Sequence, residues 1–331
     1  MPKSVTMTLK RRLIILLALL LGGFAALNVA ACRQARAMMH FTTDSARTDK
    51  PENLTLGQKI SVLFCGVKLP RPHSSLSPDK VGPACRAVSI PAANGITLGA
   101  WYCPGAPSSP LVLLFHGYAA DKTGMVPEAR AFLDMGCSVL LVDFRGSGDS
   151  SESYTTLGYY EAEDVAAAAD YARRQWPHSK LILYGESMGA AAVLRAVAAC
   201  GARPDAIMVE AVFDKMLTTV RHRFEALGVP AFPSAQLLVF WGGRQAGFNG
   251  FAHNPVEYAA SVRCPILFLH GTADPRARLE EARRVFDAVS APKRFKEFPT
   301  LGHESSVTRF PAAWKEAVGQ FLKDAANQTL Q

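Results

Sequence analysis

A serine between two glycines is the first feature of this sequence that could carry out chemistry. Residues 181–196, LILYGESMGAAAVLRA, run from an apolar stretch through Gly-Glu-Ser-Met-Gly into a block of alanines. A strand that enters a helix through a tight turn can raise one side chain above the sheet edge, provided that its neighbours two positions away lack a Cβ. We therefore predict that Ser187 is an exposed nucleophile, with Gly185 and Gly189 required by crowding. For the motif alone, the alternative is a loop with a helix N-cap.

Two residues that could activate this serine follow apolar runs further along the chain. A serine hydroxyl needs a base to take its proton and a carboxylate to orient that base. Asp274 follows the run in LFLHGTADPRA, and His303 follows the next one in FPTLGHES. This order predicts Asp274 as the acid and His303 as the base. Asp274 could instead cap a helix whose first residue is proline, and Glu210, at the end of AIMVE, is the alternative acid.

The elements that must position these residues alternate between strand and helix patterns from Cys85 onward. The central runs are continuously apolar, which is typical of parallel strands covered by helices on both faces. CRAVSI and ITLGAWYC flank Asn94-Gly95, a strong signal for a hairpin turn. The pattern predicts an α/β fold with a doubly wound, mostly parallel sheet and an N-terminal antiparallel hairpin. Strands are predicted at 111–115, 138–143, 180–184, 206–210, 265–270 and 294–298, and helices at 124–135, 158–175, 188–200, 277–290 and 306–324.

Four motifs in order, LLFHGYAADK, LVDFRGSGDS, LYGESMGA and FLHGTADP, resemble those of α/β-hydrolases. The resemblance covers about residues 80 to 325 and is strongest to the Bem46-like and serine-aminopeptidase-like (S33-type) small hydrolases. It implies a catalytic triad of Ser187, Asp274 and His303. The sequence departs from the family after the aspartate, where Arg276 and Arg278 stand near the position of a usual apolar residue.

Acyl transfer also needs hydrogen-bond donors for the oxygen that becomes negative in the tetrahedral intermediate. The turn at Ser187 supplies the backbone N–H of Met188. The resemblance implies the N–H of Tyr118 as the second donor, and a structural role for His116. We expect Asp143 and Arg145, in DFRGSGDS, to hold their loop in shape.

These residues together predict a serine hydrolase that acts on carboxylic ester or thioester bonds of a small acyl substrate. The predicted mechanism needs no metal and no cofactor. A peptidase or aminopeptidase on the same scaffold is one alternative. The other is a catalytically silent, membrane-tethered binding module, because a fold does not by itself determine a function.

Residues 211–263 interrupt the alternation of strands and helices. They are rich in Phe, Leu and Gly and include Trp241. Since they follow a strand, they should lie above the edge of the sheet from which Ser187 emerges. We predict that they form a small lid or pocket wall within a hydrolase domain of residues 84–325. An apolar pocket would select acyl chains by burial, at about 0.8 kcal/mol per methylene.

The N-terminus has the pattern of a membrane signal. Lys10-Arg11-Arg12 precede nineteen uncharged residues, 13–31, which end at Cys32. This length is near the minimum for crossing a bilayer. An uncleaved anchor, a cleaved secretory signal and a lipoprotein signal that acylates Cys32 all fit the pattern, and all predict a catalytic domain on the non-cytoplasmic side. We predict a signal or anchor over residues 1–37 and a tether with an N-terminal extension over 38–83.

The positive charge of the chain is concentrated in the same N-terminal segment. The net charge is +8, but six basic residues and no acid lie in the first 43 residues, which leaves +2 for residues 44–331. A nucleic-acid-binding protein would carry a basic stripe on its folded domain. We therefore expect no nucleic-acid partner.

Two of the seven cysteines are related by the predicted hairpin. Cys85 and Cys103 lie at equal distances from Asn94, so paired strands would bring them opposite each other. Export would permit a disulfide, but the geometry of such a bond is restrictive. A disulfide and two neighbouring free thiols both remain open at this point.

Overall fold

Eight strands form one sheet within residues 3–43, 46–49 and 53–327, which the computed structural model describes. The strands are β1 (Arg86–Pro91), β2 (Thr97–Cys103), β3 (Leu111–Phe115), β4 (Ser138–Val142), β5 (Leu181–Glu186), β6 (Ala206–Glu210), β7 (Ile266–Gly271) and β8 (Lys293–Phe298). They pair in the order β1-β2-β4-β3-β5-β6-β7-β8. The β1–β2 and β2–β4 pairs are antiparallel, and the other pairs are parallel. The predicted fold class is confirmed.

The apolar runs that predicted the central strands are buried. Every residue of β3, β4, β6 and β7 is shielded from solvent, as expected for parallel strands with helices on both faces. The predicted limits of these strands are correct to within one or two residues. The carboxyl ends of the parallel strands therefore meet at one edge of the sheet, and the polar residues that follow them are brought together there.

Along the chain, the helices lie before, between and after the strands. They are α1 (Lys3–Met39), α2 (Leu56–Cys65), α3 (Val126–Asp134), α4 (Glu161–Gln175), α5 (Met188–Ala199), α6 (Met216–Leu227), α7 (Ser234–Ala246), α8 (Pro255–Ala259), α9 (Leu279–Ala288), α10 (Ser306–Arg309) and α11 (Pro311–Asn327). The single helix predicted over 306–324 is wrong, because α10 ends before Pro311. Proline disfavours helical dihedrals in the residue before it, and Phe310 has a φ of −134°.

The segment between β6 and β7 forms the helices α6, α7 and α8. Buried apolar side chains of α6 and α7, such as Val220 and Leu238, pack together with Ala35 and Met38 of α1. The insertion is therefore joined to the N-terminal helix through a small apolar core of its own.

The first helix, α1, is long and apolar enough to cross a membrane. Its segment Leu9–Met39 reaches a hydropathy of 2.5 in the most apolar 18-residue window, none of which is buried. Residues 9–26 are exposed, and burial begins at Leu27. Further along, Trp241 Nε1 of α7 donates to Asn28 Oδ1 (3.2 Å), and Gln245 Nε2 donates to the carbonyl oxygen of Cys32 (2.9 Å). The second half of α1 therefore belongs to the folded domain.

The connecting region after α1 is attached to the domain at several points. Of the predicted tether, Thr42–Glu52, residues 44, 45 and 50–52 lie outside the described residues. The N–H of Thr42 donates to the carbonyl of Leu69 (2.7 Å). Within the predicted extension, α2 begins with a capping box formed by Thr55 and Gln58.

The N-terminal hairpin carries a disulfide. Asn94 and Gly95 have positive φ values of 59° and 75°, in a turn of three residues, Ala93–Gly95, that joins β1 and β2. The register pairs Arg86 with Tyr102, so the next pair outward is Cys85 and Cys103. Their Cα atoms are 4.1 Å apart and the two sulfurs are bonded. Of the two arrangements that the sequence left open, the structure contains the disulfide.

We predict that Cys85 and Cys103 resist alkylation in unfolded, unreduced protein made in an oxidising compartment, because a disulfide carries no thiol. Peptide mass mapping should recover them as one linked pair, while Cys137 and Cys264 are alkylated. In a Cys85→Ser control, Cys103 should become labelled. Labelling of both hairpin cysteines in the wild-type chain without reductant would contradict the prediction.

Candidate active site

Ser187 occupies the turn between β5 and α5. Its φ of 52° and ψ of −109° lie in a region that residues with a Cβ rarely adopt. A Cβ at Gly185 would come within 2.4 Å of the Gly189 carbonyl oxygen, and a Cβ at Gly189 within 2.3 Å of the Phe115 carbonyl oxygen. Both glycines are required, as predicted, because the atoms that a Cβ would meet belong to the backbone. The Ser187 N–H donates to the carbonyl of Glu210 (2.8 Å) and ties the turn to β6.

Three side chains form a continuous series of hydrogen bonds at the carboxyl edge of the sheet. His303 Nε2 lies 3.1 Å from Ser187 Oγ, and His303 Nδ1 lies 2.7 Å from Asp274 Oδ2. A proton on Nδ1 would be donated to the carboxylate, which leaves Nε2 free to accept the serine hydroxyl. The structure thus places Ser187, His303 and Asp274, the three residues predicted from the sequence, in one series of hydrogen bonds.

Asp274 is held as an acceptor by its surroundings. Its Oδ1 accepts the N–H groups of Arg276 (2.8 Å) and Ala277 (3.0 Å). Burial by itself raises the pKa of Asp274, but hydrogen bonding and the charge of His303, together with the two amides, outweigh burial and lower that pKa. The carboxylate is therefore ionised at neutral pH. The next helix begins only at Leu279, so Asp274 closes a turn and does not cap that helix.

Glu210, the alternative acid, has different partners. It is buried at the end of β6, where it accepts the hydroxyl of Tyr184 and the N–H of Ser306 (2.7 Å). Burial raises the pKa of Glu210. In the described part of the chain, the Glu210 side chain forms no hydrogen bond with the imidazole of His303. The geometry therefore favours Asp274 as the partner of His303.

The loop after β3 brings Gly117 and Tyr118 beside the serine. A Cβ at Gly117 would lie only 3.8 Å from Ser187 Cβ. His116 holds this loop, because its Nε2 accepts the N–H of Phe144 (3.2 Å) and its Nδ1 donates to the Gly117 carbonyl (2.8 Å). Burial lowers the pKa of His116, which keeps the imidazole neutral as this pattern requires. These contacts agree with the structural role expected for His116.

The two predicted oxyanion donors belong to the segments that flank Ser187. Tyr118 lies in the loop after β3, and Met188 is the first residue of α5. The first N–H groups of an α-helix have no acceptor within the helix, and the helix dipole makes that end favourable for negative charge. Both backbone N–H groups are thus in segments next to the serine.

Lys122, which the sequence did not predict as a functional residue, is fully buried and supports the loops around Ser187. Lys122 Nζ lies 2.5 Å from Asp143 Oδ2 and 2.6 Å from Asp149 Oδ2. Arg145 forms a similar buried pair with Asp164 (2.7 Å). The Lys122 pair connects the loops after β3 and β4, and the Arg145 pair connects the loop after β4 to α4. Both pairs agree with the shape-holding role expected for Asp143 and Arg145. The motif GYAADK contains the lysine, but lysines in loops are normally exposed.

A cavity of about 520 Å³ opens over Ser187 and His303. Its wall is mostly apolar, and the insertion between β6 and β7 contributes to it, as predicted for residues 211–263. The N-terminal helix contributes as well, which the sequence did not predict, and the Tyr118 hydroxyl donates to the carbonyl of Met38 on that helix (2.5 Å). The α1 residues in the wall are Leu27, Ala30, Ala31, Gln34 and Met38.

The charged side chains that line the cavity are predominantly cationic at neutral pH. Arg223 Cζ lies 5.0 Å from the centre of the Tyr118 ring. Burial and the neighbouring carboxyl groups raise the pKa of Glu186 to about 8, so this acid is mostly protonated at pH 7. The charged groups in the lining are Arg47, Asp49, Glu186, Arg223 and Arg276.

The predicted absence of a metal and of a cofactor stays a prediction. In the part of the chain that the structure describes, no group of three or more His, Cys, Asp and Glu side chains is arranged to hold a metal ion. Near Ser187, the carboxyl groups of Asp274 and Glu210 accept hydrogen bonds from protein donors.

The chain is similar to known hydrolases over most of its length. Residues 106–237 match the family model of serine aminopeptidases, S33. The uncharacterized protein Rv2307c of Mycobacterium tuberculosis is 30% identical over 255 residues, which is 76% of this chain and 83% of that protein. The esterase Pf2001 of Pyrococcus furiosus is 24% identical, with a TM-score of 0.65 over 77% of this chain and 96% of that one. A membrane phospholipase A, described as a bacterial virulence factor, is 18% identical, with a TM-score of 0.55 over 74% and 87%.

The sheet order, the strained turn at Ser187 and these similarities define the class as an α/β hydrolase. The chain belongs to the α/β-hydrolase superfamily, and its match to the S33 family model relates it to the serine-aminopeptidase-like members.

We predict that Asp274→Asn lowers kcat on an activated ester by roughly 10⁴, because an amide can hold the imidazole in the wrong tautomer. Glu210→Gln should lower kcat only a few-fold, since Glu210 bonds to Tyr184 and Ser306. Steady-state kinetics of both purified variants checks this, with circular dichroism as the control for folding. A larger loss in Glu210→Gln than in Asp274→Asn would assign the acid to Glu210.

Proposed function

We propose that the protein is a serine hydrolase that cleaves carboxylic esters or thioesters through an acyl-enzyme intermediate. The observation that carries this proposal is the series of contacts from Ser187 through His303 to Asp274, at 3.1 Å and 2.7 Å. It supplies the nucleophile, the base and the orienting acid that acyl transfer needs. The similarity to an esterase of Pyrococcus furiosus supports an ester substrate.

The first half-reaction transfers the acyl group to the enzyme. His303 Nε2 takes the hydroxyl proton while Ser187 Oγ bonds to the carbonyl carbon of the substrate. Asp274 stabilises the imidazolium, and the N–H groups of Met188 and Tyr118 donate to the oxyanion. The imidazolium then gives its proton to the leaving alcohol or thiol as the C–O or C–S bond breaks.

The second half-reaction returns the enzyme to its starting state. A water molecule bonds to the acyl carbon while His303 takes one of its protons. The bond between Ser187 Oγ and the carbon breaks, and the proton passes from His303 to the serine oxygen. The products of the whole cycle are a carboxylic acid and the alcohol or thiol.

The lining of the cavity favours an apolar acyl group over a peptide with a free amino terminus. A substrate ammonium group at Ser187 would need an ionised carboxylate beside it, but Glu186, the lining acid next to Ser187 in the chain, has a pKa of about 8. Arg223 and Arg276 would repel a cation. The S33 description of the family model keeps amide cleavage as the second candidate.

We further propose that α1 remains attached and anchors the domain to a membrane. The helix runs through Ala31 and Cys32 without a break. Cleavage before Cys32 would remove Leu27, Ala30 and Ala31 from the cavity wall. The basic residues before the apolar segment favour a domain on the non-cytoplasmic side. In this arrangement residues 1–37 are the anchor, 38–83 the extension, 84–325 the hydrolase domain and 211–263 its lid.

We predict that a fluorophosphonate probe labels wild-type protein at Ser187 and that kcat/KM rises with acyl length in a p-nitrophenyl ester series. Each added methylene that becomes buried should raise kcat/KM by at most about four-fold, from about 0.8 kcal/mol of transfer free energy. The rise should stop when the cavity is filled. Labelled-peptide mass spectrometry and steady-state kinetics are the measurements.

Ser187→Ala is the matched control, because it keeps the fold and removes the nucleophile. An unlabelled Ser187 in folded wild-type protein would favour the silent binding module. Turnover that ignores acyl length, together with faster cleavage of aminoacyl amides than of matched esters, would favour the peptidase.

We predict that protein isolated from membranes retains its N-terminal segment, because Leu27, Ala30 and Ala31 are part of the cavity wall. Intact-mass measurement should give the uncleaved chain, and detergent should be needed to release it. A control in which a strong signal-peptidase site replaces residues 29–31 should be released as a soluble, shorter chain. A wild-type N-terminus at Cys32 with an attached lipid would establish the lipoprotein instead.

A further inference from the structure

The cavity over Ser187 reaches the part of α1 that a bilayer would cover. The nineteen uncharged residues 13–31 rise about 1.5 Å each and span about 28 Å, close to the roughly 30 Å of a hydrocarbon core. Leu27, Ala30 and Ala31 belong to this run and also line the cavity. With α1 in a membrane, one wall of the cavity is therefore continuous with the bilayer.

The protein surface around this part of α1 is apolar. Trp241, which donates to Asn28, lies beside Phe240, and the Phe240 side chain is 49% exposed. On α2, which contacts α1, Leu56 is 75% exposed. Tryptophan is enriched at the boundary between membrane and water. A bilayer around α1 would cover these side chains and bring the cavity to the level of the lipid head groups.

Arg223 adds a positive charge to this cavity close to the nucleophile. Its guanidinium lies over the ring of Tyr118, and Tyr118 follows Gly117, which lies against Ser187. Arg276 lines the same cavity. Within the described part of the chain, neither arginine forms an ion pair with a carboxylate.

The surroundings of Arg223 favour an anion from outside the chain. Burial lowers the pKa of Arg223; the neighbouring Tyr118 offsets part of this effect, and the charge of Arg276 lowers the pKa further. A partly buried charge without a counter-ion is costly. A guanidinium binds a phosphate through two parallel hydrogen bonds, which makes phosphate a suitable counter-ion.

We propose that the substrate is an anionic acyl ester lipid of the membrane, whose head-group phosphate pairs with Arg223 and Arg276 and whose acyl chain lies against Leu27, Ala30 and Ala31. This inference rests on the proposed function, because Ser187 attacks the ester of that lipid. Water adds across the bond, and the products are a fatty acid and a lysolipid that keeps the phosphate. The lysolipid hydroxyl takes the proton that His303 releases.

The head-group part of the proposal is tested with full-length protein in mixed detergent micelles. The substrates are phosphatidylglycerol and a neutral diacylglycerol with the same acyl chains. Arg223→Gln should lower the ratio of their kcat/KM values roughly ten-fold, because one charge-assisted interaction is lost. Arg221→Gln is the matched control, since Arg221 lies on the same helix but is exposed and outside the cavity wall. An unchanged ratio in Arg223→Gln would overturn the proposal.

The membrane part is tested on α1 itself. Ala30→Trp fills the wall of the cavity and should lower hydrolysis of long-chain phosphatidylglycerol several-fold more than hydrolysis of p-nitrophenyl acetate. Ala25→Trp, on the exposed part of α1, should keep the wild-type ratio. Acyl-coenzyme A is the soluble anionic acyl thioester for comparison. A higher kcat/KM for acyl-coenzyme A than for phosphatidylglycerol in vesicles would overturn the bilayer as the source.

Failure of this inference can be told apart from failure of the proposed function. Turnover of p-nitrophenyl acetate that requires Ser187, without preference for phosphatidylglycerol over diacylglycerol, would overturn the inference and leave the serine hydrolase intact. Absence of that turnover in folded wild-type protein would overturn both.

Discussion

The close approach of three backbone segments at Ser187 is the constraint on which the site depends. The turn after β5 packs so tightly that a Cβ at Gly189 would meet the carbonyl of Phe115 at 2.3 Å. Phe115 ends β3, so this contact also sets where the loop with Gly117 and Tyr118 begins. The serine stays at a φ of 52° because the surrounding segments leave it no alternative. A single packing contact thus positions the hydroxyl, the start of α5 and the loop after β3 relative to one another.

Buried charges hold the loops around this turn. Lys122 is paired with Asp143, Arg145 with Asp164, and Glu210 with the amide of the segment that follows His303. Removing charges from water is costly, and breaking such a pair by removing one partner typically costs about 3–5 kcal/mol. These pairs therefore hold the long loops in a single conformation. Lys122 and Asp143 follow different strands, β3 and β4, and Glu210 ends β6 whereas Ser306 follows β8. These contacts therefore keep the loops in position relative to the sheet edge.

The N-terminal helix combines two roles that are usually separate. Its first part has the length and hydropathy of a membrane span, and its second part packs on the insertion between β6 and β7. Through Met38 it accepts the hydroxyl of Tyr118, a residue of the loop beside Ser187. The position of α1 is thereby coupled to the shape of the cavity. An enzyme built this way would meet its substrate at the membrane surface and bind it partly with its anchor.

The sequence by itself determined the elements whose signals are local. Continuous apolar runs predicted the buried strands, Asn94-Gly95 predicted the hairpin, and the glycines around Ser187 predicted a strained turn, because each pattern reflects nearby backbone constraints. The order of residues along the chain also predicted Asp274 and His303 as the acid and the base, because parallel strands end at one edge of a sheet. Only the tertiary structure showed that the imidazole of His303 bonds to Asp274, whereas Glu210 bonds to Tyr184 and Ser306, because both acids lie at the ends of buried strands and their partners depend on packing. Only the tertiary structure likewise showed that Lys122 is buried and that α1 contributes to the cavity wall. Contacts between residues more than 100 positions apart, such as Trp241 with Asn28, leave no periodic signal in either segment, so packing alone reveals them.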